Sequence, residues 1–410
     1  MNKKAAQNSF RNIVRKIHLV LGFSTGIVVF IVAMTGCCWV FQEEIQSWSR
    51  DYRQVSEENK PLITPSEAKQ IAENVYPGRS IHGVLYGNSR EAVEVIFYQE
   101  NPKFYRAVFL NPYNGEIIKT EDYLSGFFAF VLDGHLNLWL PESIGSKIVS
   151  WSTLIFVIML LTGIVLWWPR NKQGRKQRFR FDWKSTTQWK RKNYDLHTVI
   201  GFYASFIAVI IAFTGLVMAF DWFGKAAYQA FGGDKPLTFT IPDHKPLYVP
   251  DTTGTPPIDR LLPILKTEFP QARQFEIHYP YTDSASIYVE ISYEEGIHYS
   301  SDYRYYDQYT LMELEATSLY GIYENTDLAD KMILMNYDTH IGAILGLPGK
   351  ILVFFISLQI ASLPITGFMI WWGRKNKARK SKKNRKAPAV QLNLESAKER
   401  TSWVTSSKAD

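Results

Sequence analysis

The sequence predicts an integral membrane protein, a four-helix bundle built from two tandem repeats that each carry a small α+β domain outside the membrane. Four apolar blocks support this prediction, at residues 19–40, 148–168, 199–220 and 351–372. None of the blocks contains Asp, Glu, Lys or Arg, and each has 20 or more residues. A stretch of about 20 apolar residues is long enough to cross a bilayer as an α-helix.

The distribution of charge predicts the orientation of the spans. Residues 1–17 hold five Lys or Arg and no acid, and residues 169–195 hold ten against two acids. Residues 41–144 instead hold nine basic and fifteen acidic side chains. Because short basic segments stay in the cytoplasm, we expect both termini and the 169–195 loop on that side. The net charge of +7 then indicates contacts with anionic membrane lipid and no nucleic-acid binding.

These boundaries predict the domain organisation of a multi-pass membrane protein whose two long connections face the outside or the periplasm. The segments are the cytoplasmic N-terminus 1–17, first span 18–41, first periplasmic domain 42–144, second span 145–168, basic cytoplasmic loop 169–195, third span 196–221, second periplasmic domain 222–346, fourth span 347–372 and basic cytoplasmic tail 373–410. In each periplasmic domain a proline-terminated helix precedes alternating, strand-like runs. We therefore expect one helix against a small antiparallel sheet in each domain.

The first and third spans share one pattern of histidine and glycine. His18 and Gly22 match His197 and Gly201 at identical spacing. Each glycine lies one turn beyond its histidine on the same helix face. We expect these two glycines to leave room for a flat cofactor beside the histidines.

The second and fourth spans also match each other. His135 precedes Gly163 by 28 residues, and His340 precedes Gly367 by 27. This one-residue difference predicts that the approach to the membrane is not a single rigid helix in both copies. Thr-Gly pairs occur late in all the spans, at 35–36, 162–163, 214–215 and 366–367. We interpret them as small residues that let helices pack closely, with a threonine that bonds its own backbone.

Two-fold repetition groups the histidines of the spans into an inner and an outer pair. The pairs are His18 with His197, near the cytoplasmic surface, and His135 with His340, near the outer surface. Four-helix bundles hold cofactors with ligands from facing helices, and two imidazoles on one iron suit a b-type haem. A histidine at a membrane interface is usually only an anchor, but four in symmetric positions among eight histidines favour ligands. We therefore predict two haem b groups with bis-histidine ligation.

The remaining features have structural interpretations. The histidines of the outer domains, which are His82, His244, His278 and His298, are predicted to be structural rather than metal or substrate contacts. Nine tyrosines between residues 279 and 309 are interpreted as cross-strand pairs in a sheet. No Cys-x-x-Cys-His motif occurs in the sequence, which excludes covalent haem attachment by that motif.

Taken together, these motifs resemble the PepSY-associated transmembrane helix family. The resemblance rests on the histidine and Thr-Gly pattern, on Trp-Trp-Pro-Arg and Trp-Trp-Gly-Arg at 167–170 and 371–374, and on PepSY-like segments at 64–120 and 256–316. It implies an inner-membrane enzyme of iron uptake, a dihaem reductase that releases iron from a ferric siderophore or another ferric chelate. It also implies that all four histidines of the spans bind haem iron, and that a quinol or a reductase partner donates the electrons.

One alternative stays open from the sequence. A haem-free membrane scaffold or sensor, whose PepSY-like domains bind a peptide or a protease, would use the same spans as anchors. A colourless but folded preparation would favour this alternative. A siderophore transporter fits less well, because the sequence lacks the interrupted helices and midplane charges expected of one.

Overall fold

The computed structural model describes residues 3–169, 178–243 and 254–386. Within these ranges four helices are long and apolar enough to cross a membrane. They are Ser9–Trp39, Glu142–Trp167, Trp189–Ala219 and Ala343–Asn376. The predicted fold class, a four-helix multi-pass membrane protein, is confirmed. His244, residues 170–177 of the basic loop and the tail from residue 387 lie outside the described residues.

Helices account for the bundle and its connections. In chain order they are α1 Lys3–Trp39, α2 Gln42–Ser47, α3 Pro65–Val75, α4 Gly126–Asn137, α5 Glu142–Trp167, α6 Trp189–Asp195, α7 Gly201–Ala219, α8 Asp221–Ala230, α9 Pro257–Glu268, α10 Leu328–Leu334, α11 Asn336–Ile341 and α12 Gly346–Lys386. A π-helical turn, Leu196–Ile200, joins α6 to α7. Short 3₁₀ turns lie at Asp51–Arg53, Tyr323–Asn325 and Ala343–Leu345.

The four spanning helices form a closed ring of neighbours. Helix α1 contacts α5 and α12. Helix α7, the corresponding span of the second repeat, contacts the same two helices. Small side chains at the centre, including Ala33, Ala204 and Ala208, pack against Ile356 and Ile360. Because alanine lets helix backbones approach closely, such positions favour tight packing in a membrane. The result is one apolar layer between the two ends of the bundle.

The two short helices α4 and α11 lie just before the spans α5 and α12. Helix α4 is followed by Leu138 and Trp139, whose backbones are both in the left-handed region with φ 56° and 58°. Helix α11 is followed by Gly342, with φ 83°. A Cβ at Gly145 would overlap the carbonyl oxygen of Asn137. Close packing of each short helix against the next span therefore requires a residue without a side chain. The approach to the membrane is a separate helix in both repeats.

The outer part of the molecule contains one eight-stranded antiparallel sheet. Its strands are β1 Ile81–Tyr86, β2 Val93–Gln99, β3 Phe104–Leu110, β4 Ile117–Asp122, β5 Gln274–His278, β6 Ile287–Ser292, β7 Asp302–Tyr306 and β8 Glu313–Leu314. The spatial order is β4-β3-β2-β1-β5-β6-β7-β8. We expected a small sheet in each repeat. Each repeat does supply four strands, but pairing of β1 with β5 joins the two sets and leaves neither inner edge open.

The two faces of the sheet differ in character. One face packs against α3 and α9 around a core that includes Val84, Val95, Leu261 and Ile277. Helix α3 begins with a capping box between Thr64 and Glu67, which satisfies two backbone N–H groups at its start. The other face carries histidine, glutamate and tyrosine side chains, which are listed here as Glu94, Glu276, His278, Tyr288, Glu290, Tyr303 and Tyr305.

Candidate cofactor site

The outer histidine pair lies between α4 and α11. The ring centroids of His135 and His340 are 6.2 Å apart and the ring planes are inclined by 73°. Two imidazoles bound to opposite sides of one metal ion, at about 2 Å each, have ring centres about 6 Å apart. The separation of these two rings therefore suits a single ion between them.

The inner histidine pair lines a cavity at the other end of the bundle. His18 on α1 and His197 on the π-helical turn share a cavity of about 1030 Å³. Sites for small molecules and cofactors commonly have volumes of about 300–1,000 Å³, so the cavity is large enough for a macrocycle. Arg15, Lys16 and Arg374 also line it. Their positive charges suit a cofactor that carries carboxylates.

The predicted glycines at the inner pair lie beside this cavity. Gly22 and Gly201 both line it. A Cβ at Gly22 would lie 3.3 Å from Cε of Met159, and one at Gly201 would lie 3.4 Å from a methyl carbon of Leu363. Because glycine has no side chain, these two positions make room for the ends of Met159 and Leu363 from neighbouring helices, and they also leave open space beside the histidines.

A threonine hydroxyl contacts the Nδ1 atom of each of the four histidines. The contacts are His18 with Thr162 at 2.9 Å, His135 with Thr35 at 3.2 Å, His197 with Thr366 at 2.9 Å and His340 with Thr214 at 2.9 Å. Every partner is the threonine of a Thr-Gly pair, and each lies in the same repeat as its histidine. The sequence predicts that these threonines aid helix packing and bond their own backbone, as Thr162 and Thr366 do here, but it does not predict their contacts with the rings.

These contacts determine which ring nitrogen carries the proton. Thr366 donates its hydroxyl hydrogen to a backbone carbonyl of its own helix, Ser362 O at 3.0 Å or Leu363 O at 3.1 Å. Its oxygen is then left to accept from Nδ1–H of His197. At the outer pair, Nδ1–H of His340 donates in addition to the carbonyl of Ile211 at 3.0 Å, which can only accept. We assign the Nδ1–H tautomer, which leaves a lone pair on Nε2.

The Nε2 atoms of the four rings are the available ligand atoms. Among the described residues, the hydrogen bonds of these rings all involve Nδ1. A second hydrogen bond that orients a ligating histidine is the usual arrangement around protein-bound metals. These Nε2 atoms are therefore the ones that would hold the iron of a haem, two at each end of the bundle.

The glycine of each Thr-Gly pair makes space for a histidine ring. A Cβ would lie 3.3 Å from Cε1 of His135 at Gly36, 3.6 Å from that of His18 at Gly163, 3.3 Å from that of His340 at Gly215 and 3.2 Å from that of His197 at Gly367. Contacts of 3.2–3.3 Å are tight for a carbon, so a larger residue would push the ring away. The Thr-Gly pair thus supplies both a hydrogen-bond acceptor and a flat surface.

Both sites use both repeats. Helix α1 carries His18 of the inner pair, and Thr35 of the same helix contacts His135 of the outer pair. In the same way, Thr214 of α7 contacts His340. The 17 residues from 18 to 35 correspond to about 25 Å of helix at 1.5 Å per residue. Each repeat therefore contributes one imidazole to each of two well-separated sites.

The comparison with known families covers most of the chain. The profile of the family described as PepSY-associated TM region matches residues 15–374. The chain belongs to this family. The matched range includes both repeats of this PepSY-associated membrane protein and all four histidine–threonine contacts. No curated protein gives a significant match to the chain.

The two repeats of this PepSY-associated protein differ at the inner site. His197 lies in a π-helical turn, whereas His18 lies within the continuous helix α1. Next to His197, the side-chain amide of Asn193 donates to the carbonyl of Thr366 at 3.1 Å. π-Helical turns occur frequently at functional sites. The turn gives His197 a local backbone that the histidine pattern in the sequence did not predict.

Proposed function

We propose that the protein is a b-type dihaem electron-transfer protein of the bacterial inner membrane that reduces ferric chelates, including ferric siderophores, in the periplasm. The observation that carries this proposal is the set of four imidazoles, arranged as two pairs and each held through Nδ1 by a threonine. A haem iron with imidazoles at both axial positions transfers single electrons and does not bind oxygen.

The chain's own residues perform three tasks in this proposal. Threonine hydroxyls keep Nε2 of each histidine free for the metal. Arg15, Lys16 and Arg374 line the cavity at the inner end and would hold the carboxylates of a haem there. The apolar layer around Ala208 and Ile360 excludes water from the space between the two sites.

The substrate chemistry follows from the preferences of iron. One electron from a quinol or a reductase partner converts ferric iron in the chelate to ferrous iron. Ferrous iron is held less strongly by hard oxygen ligands, so the chelate loosens after reduction. The outer domain contacts α11, the short helix that carries His340. The buried Asp338 on this helix accepts hydrogen bonds from the backbone N–H groups of His298 and Tyr299 at 3.0 and 2.8 Å.

A pyridine haemochrome assay on the purified, full-length protein tests cofactor content. We expect about two b haems per chain, one for each pair of imidazoles. Absence of b haem after expression with haem supplied would contradict the proposal. A colourless but folded preparation would instead support the scaffold or sensor function.

Single histidine substitutions test the pairing. We expect His197→Ala to lose the inner haem and His340→Ala to lose the outer one, so that each variant keeps about half of the wild-type haem. His82→Ala, a histidine of the outer domain, is the matched control and should keep both. Full haem content in both site variants would show that the assigned pairs are wrong.

A reconstituted system tests the reaction. Vesicles that contain the protein and a reduced quinol should produce ferrous iron from an external ferric chelate, detected with a ferrous-specific chelator. His340→Ala should lower this rate by at least about tenfold, since it removes a ligand nearest the outer domain. An unchanged rate in a variant that has lost the outer haem would exclude that site from the reaction.

A further inference from the structure

A second cluster of metal-ligating side chains lies at the junction of the two half-sheets. His82 belongs to β1, and Glu276 and His278 belong to β5. One nitrogen or oxygen of each residue lies within 4.8 Å of the corresponding atom of the other two. β1 and β5 pair directly, with Gly83 opposite His278. The cluster therefore exists only because the two repeats join here.

His278 is the most unusual member of the cluster. The residue is only 3% exposed, and its ring stacks on Tyr288 with centroids 3.6 Å apart and planes inclined by 11°. Among the described residues neither ring nitrogen has a hydrogen-bond partner, although Nε2 lies 3.2 Å from Oε1 of Glu276. A buried polar group without a hydrogen-bond partner destabilises the folded state. A bound cation would remove this destabilisation.

His82 offers a second nitrogen to the same space. Its Nδ1 lies 3.0 Å from the hydroxyl of Tyr281, so one nitrogen is engaged and Nε2 is left for a ligand. The ring centroids of His82 and His278 are 4.6 Å apart. A histidine whose other nitrogen is held by a hydrogen bond is typical of metal sites.

The surrounding charge favours a cation. Glu276 lies opposite Glu290 on the neighbouring strand, and like charges in such positions destabilise a sheet. In the part of the chain that the structure describes, no Lys or Arg forms an ion pair with Glu276. A divalent ion would compensate these carboxylates.

We propose that His82, Glu276 and His278 bind one divalent transition-metal ion. Two imidazoles and one carboxylate are a ligand set that zinc and ferrous iron both accept. Adjacent ligands on an ion with bonds of about 2.0–2.2 Å lie about 3–3.5 Å apart, which the 3.2 Å between His278 and Glu276 already matches. The side chain of Glu276 is 23% exposed, so the ion has a path from solvent.

This site is separate from the haem proposal. Its three residues lie in the sheet, whereas the four haem-ligand candidates lie in or beside the bundle helices. With three protein ligands, the ion retains open coordination positions for water or for a ligand brought from solution. Binding of the ion does not require that the bundle carry haem.

The test is a titration of the purified, full-length protein with zinc ion alone, after chelator treatment and dialysis. Bound zinc is measured by equilibrium dialysis and elemental analysis. We expect one ion per chain at this site. His82→Ala and Glu276→Gln should each weaken binding by at least about tenfold, since loss of even a supporting partner commonly costs 10–100-fold in affinity. His298→Ala is the matched control, because His298 also faces a carboxylate, Asp338, but lies outside the cluster.

A second measurement distinguishes loss of the metal site from misfolding of a variant. Zinc should raise the midpoint of thermal unfolding of the wild type and of His298→Ala, because an ion that binds only the folded state stabilises it. It should raise the midpoint much less in His82→Ala, the more exposed position. No zinc uptake by the wild type, or wild-type uptake by folded His82→Ala and Glu276→Gln, would overturn the proposal. Haem content is measured in parallel, so failure of the haem proposal remains distinguishable.

Discussion

A threonine hydroxyl has one hydrogen and two lone pairs, and in this bundle the hydrogen is already used. Thr214 donates to the carbonyls of Ile210 and Ile211 at 3.0 and 2.9 Å, which leaves its oxygen for Nδ1–H of His340. The interpretation of Thr-Gly as a packing element was thus incomplete. A clue was present in the sequence, since Thr-Gly pairs and span histidines occur in equal number, but spacing does not show which threonine meets which ring.

At the residue scale, we predict that Thr366→Val weakens haem binding at the inner pair. Valine has nearly the same shape but cannot accept the hydrogen bond from His197, and loss of such a partner typically costs 10–100-fold in affinity. Haem retention against an excess of a competing haem-binding protein measures the effect. Thr153→Val is the control, since that hydroxyl donates only to the carbonyl of Val149 at 2.9 Å. Equal retention by the two variants would count against the tautomer assignment.

We also predict opposite effects of the same substitution at two glycines of α12. Alanine at Gly367 would place Cβ 3.2 Å from Cε1 of His197, whereas nothing lies within 4 Å of a Cβ at Gly373. Gly→Ala in a helix is otherwise favourable by about 0.5–1 kcal/mol. Thermal unfolding should therefore show Gly373→Ala as neutral or stabilising and Gly367→Ala as destabilising, with a changed haem spectrum only in the latter. Identical spectra would argue that the ring does not rest on Gly367.

At the element scale, short helix α11 connects the outer domain to the outer histidine pair. Asp338 is fully buried on this helix, and its carboxylate accepts from Nδ1–H of His298 at 3.2 Å. Two further residues of α11 contact other parts of the molecule. Tyr337 accepts from Nε1–H of Trp39 at 3.1 Å, and Asn336 donates to the carbonyl of Thr214 at 3.0 Å. The position of His340 is set by these contacts.

The pair between His298 and Asp338 predicts a pH dependence of stability. The hydrogen bond to Asp338, with added effects of the charges of Asp338, Glu43 and Glu290, raises the pKa of His298. A raised pKa in the folded state means that the stabilisation is complete below the unfolded pKa of about 6.5 and is lost as pH rises through the folded value. We expect the unfolding midpoint to fall from about pH 6 to pH 8.5 more in the wild type than in His298→Gln. The same fall in both proteins would remove His298 as its source.

Alternating runs at 92–98, 105–110, 285–293 and 303–311 predict the strands β2, β3, β6 and β7, but no such run predicts the central strands β1 and β5. A register shift between Ile81 and Gly83 interrupts the two-residue alternation of β1, and alternation is the main signal of a strand. Strand β5 is short, spans Gln274–His278, and carries glutamate and histidine on one face. The helices before them were easier to predict, because proline and the capping residue Thr64 mark their starts.

At the scale of the whole molecule, ionic contacts tie the two repeats together at the outer end of the bundle. Nζ of Lys350, near the start of α12, lies 2.9 Å from carboxylate oxygens of both Glu43 and Glu44. The lysine side chain is only 8% exposed. Nearby, the ring of Phe41 packs on that of Phe354 with centroids 5.6 Å apart. Helix α2, which follows the first span, is thus joined to the start of the last span where the outer domain begins.

We predict that Lys350→Met lowers the free energy of unfolding by about 1–3 kcal/mol, because it leaves two partly exposed carboxylates without their cation. Unfolding of the purified protein in detergent, followed by thermal melting, measures the change. Lys147→Met is the control, since Lys147 lies near the start of the second span at the matching place and is exposed, and no ion pair of it occurs among the described residues. Equal losses in the two variants would mean that general charge, not the contact, matters.

The sequence alone determined the class of protein, the four spans, their repetition and the histidines of the bundle, because hydropathy, charge and spacing are read over short stretches of chain. Only the tertiary structure decided which groups meet. His18 and Thr162 are separated by 144 positions, and the single sheet depends on β1 selecting the edge of β5. Contacts of this kind arise when distant helices and strands pack against each other, and no local pattern specifies such a partner. The cluster of His82, Glu276 and His278 is therefore formed by the fold. The sequence contains the three residues but does not indicate that they meet.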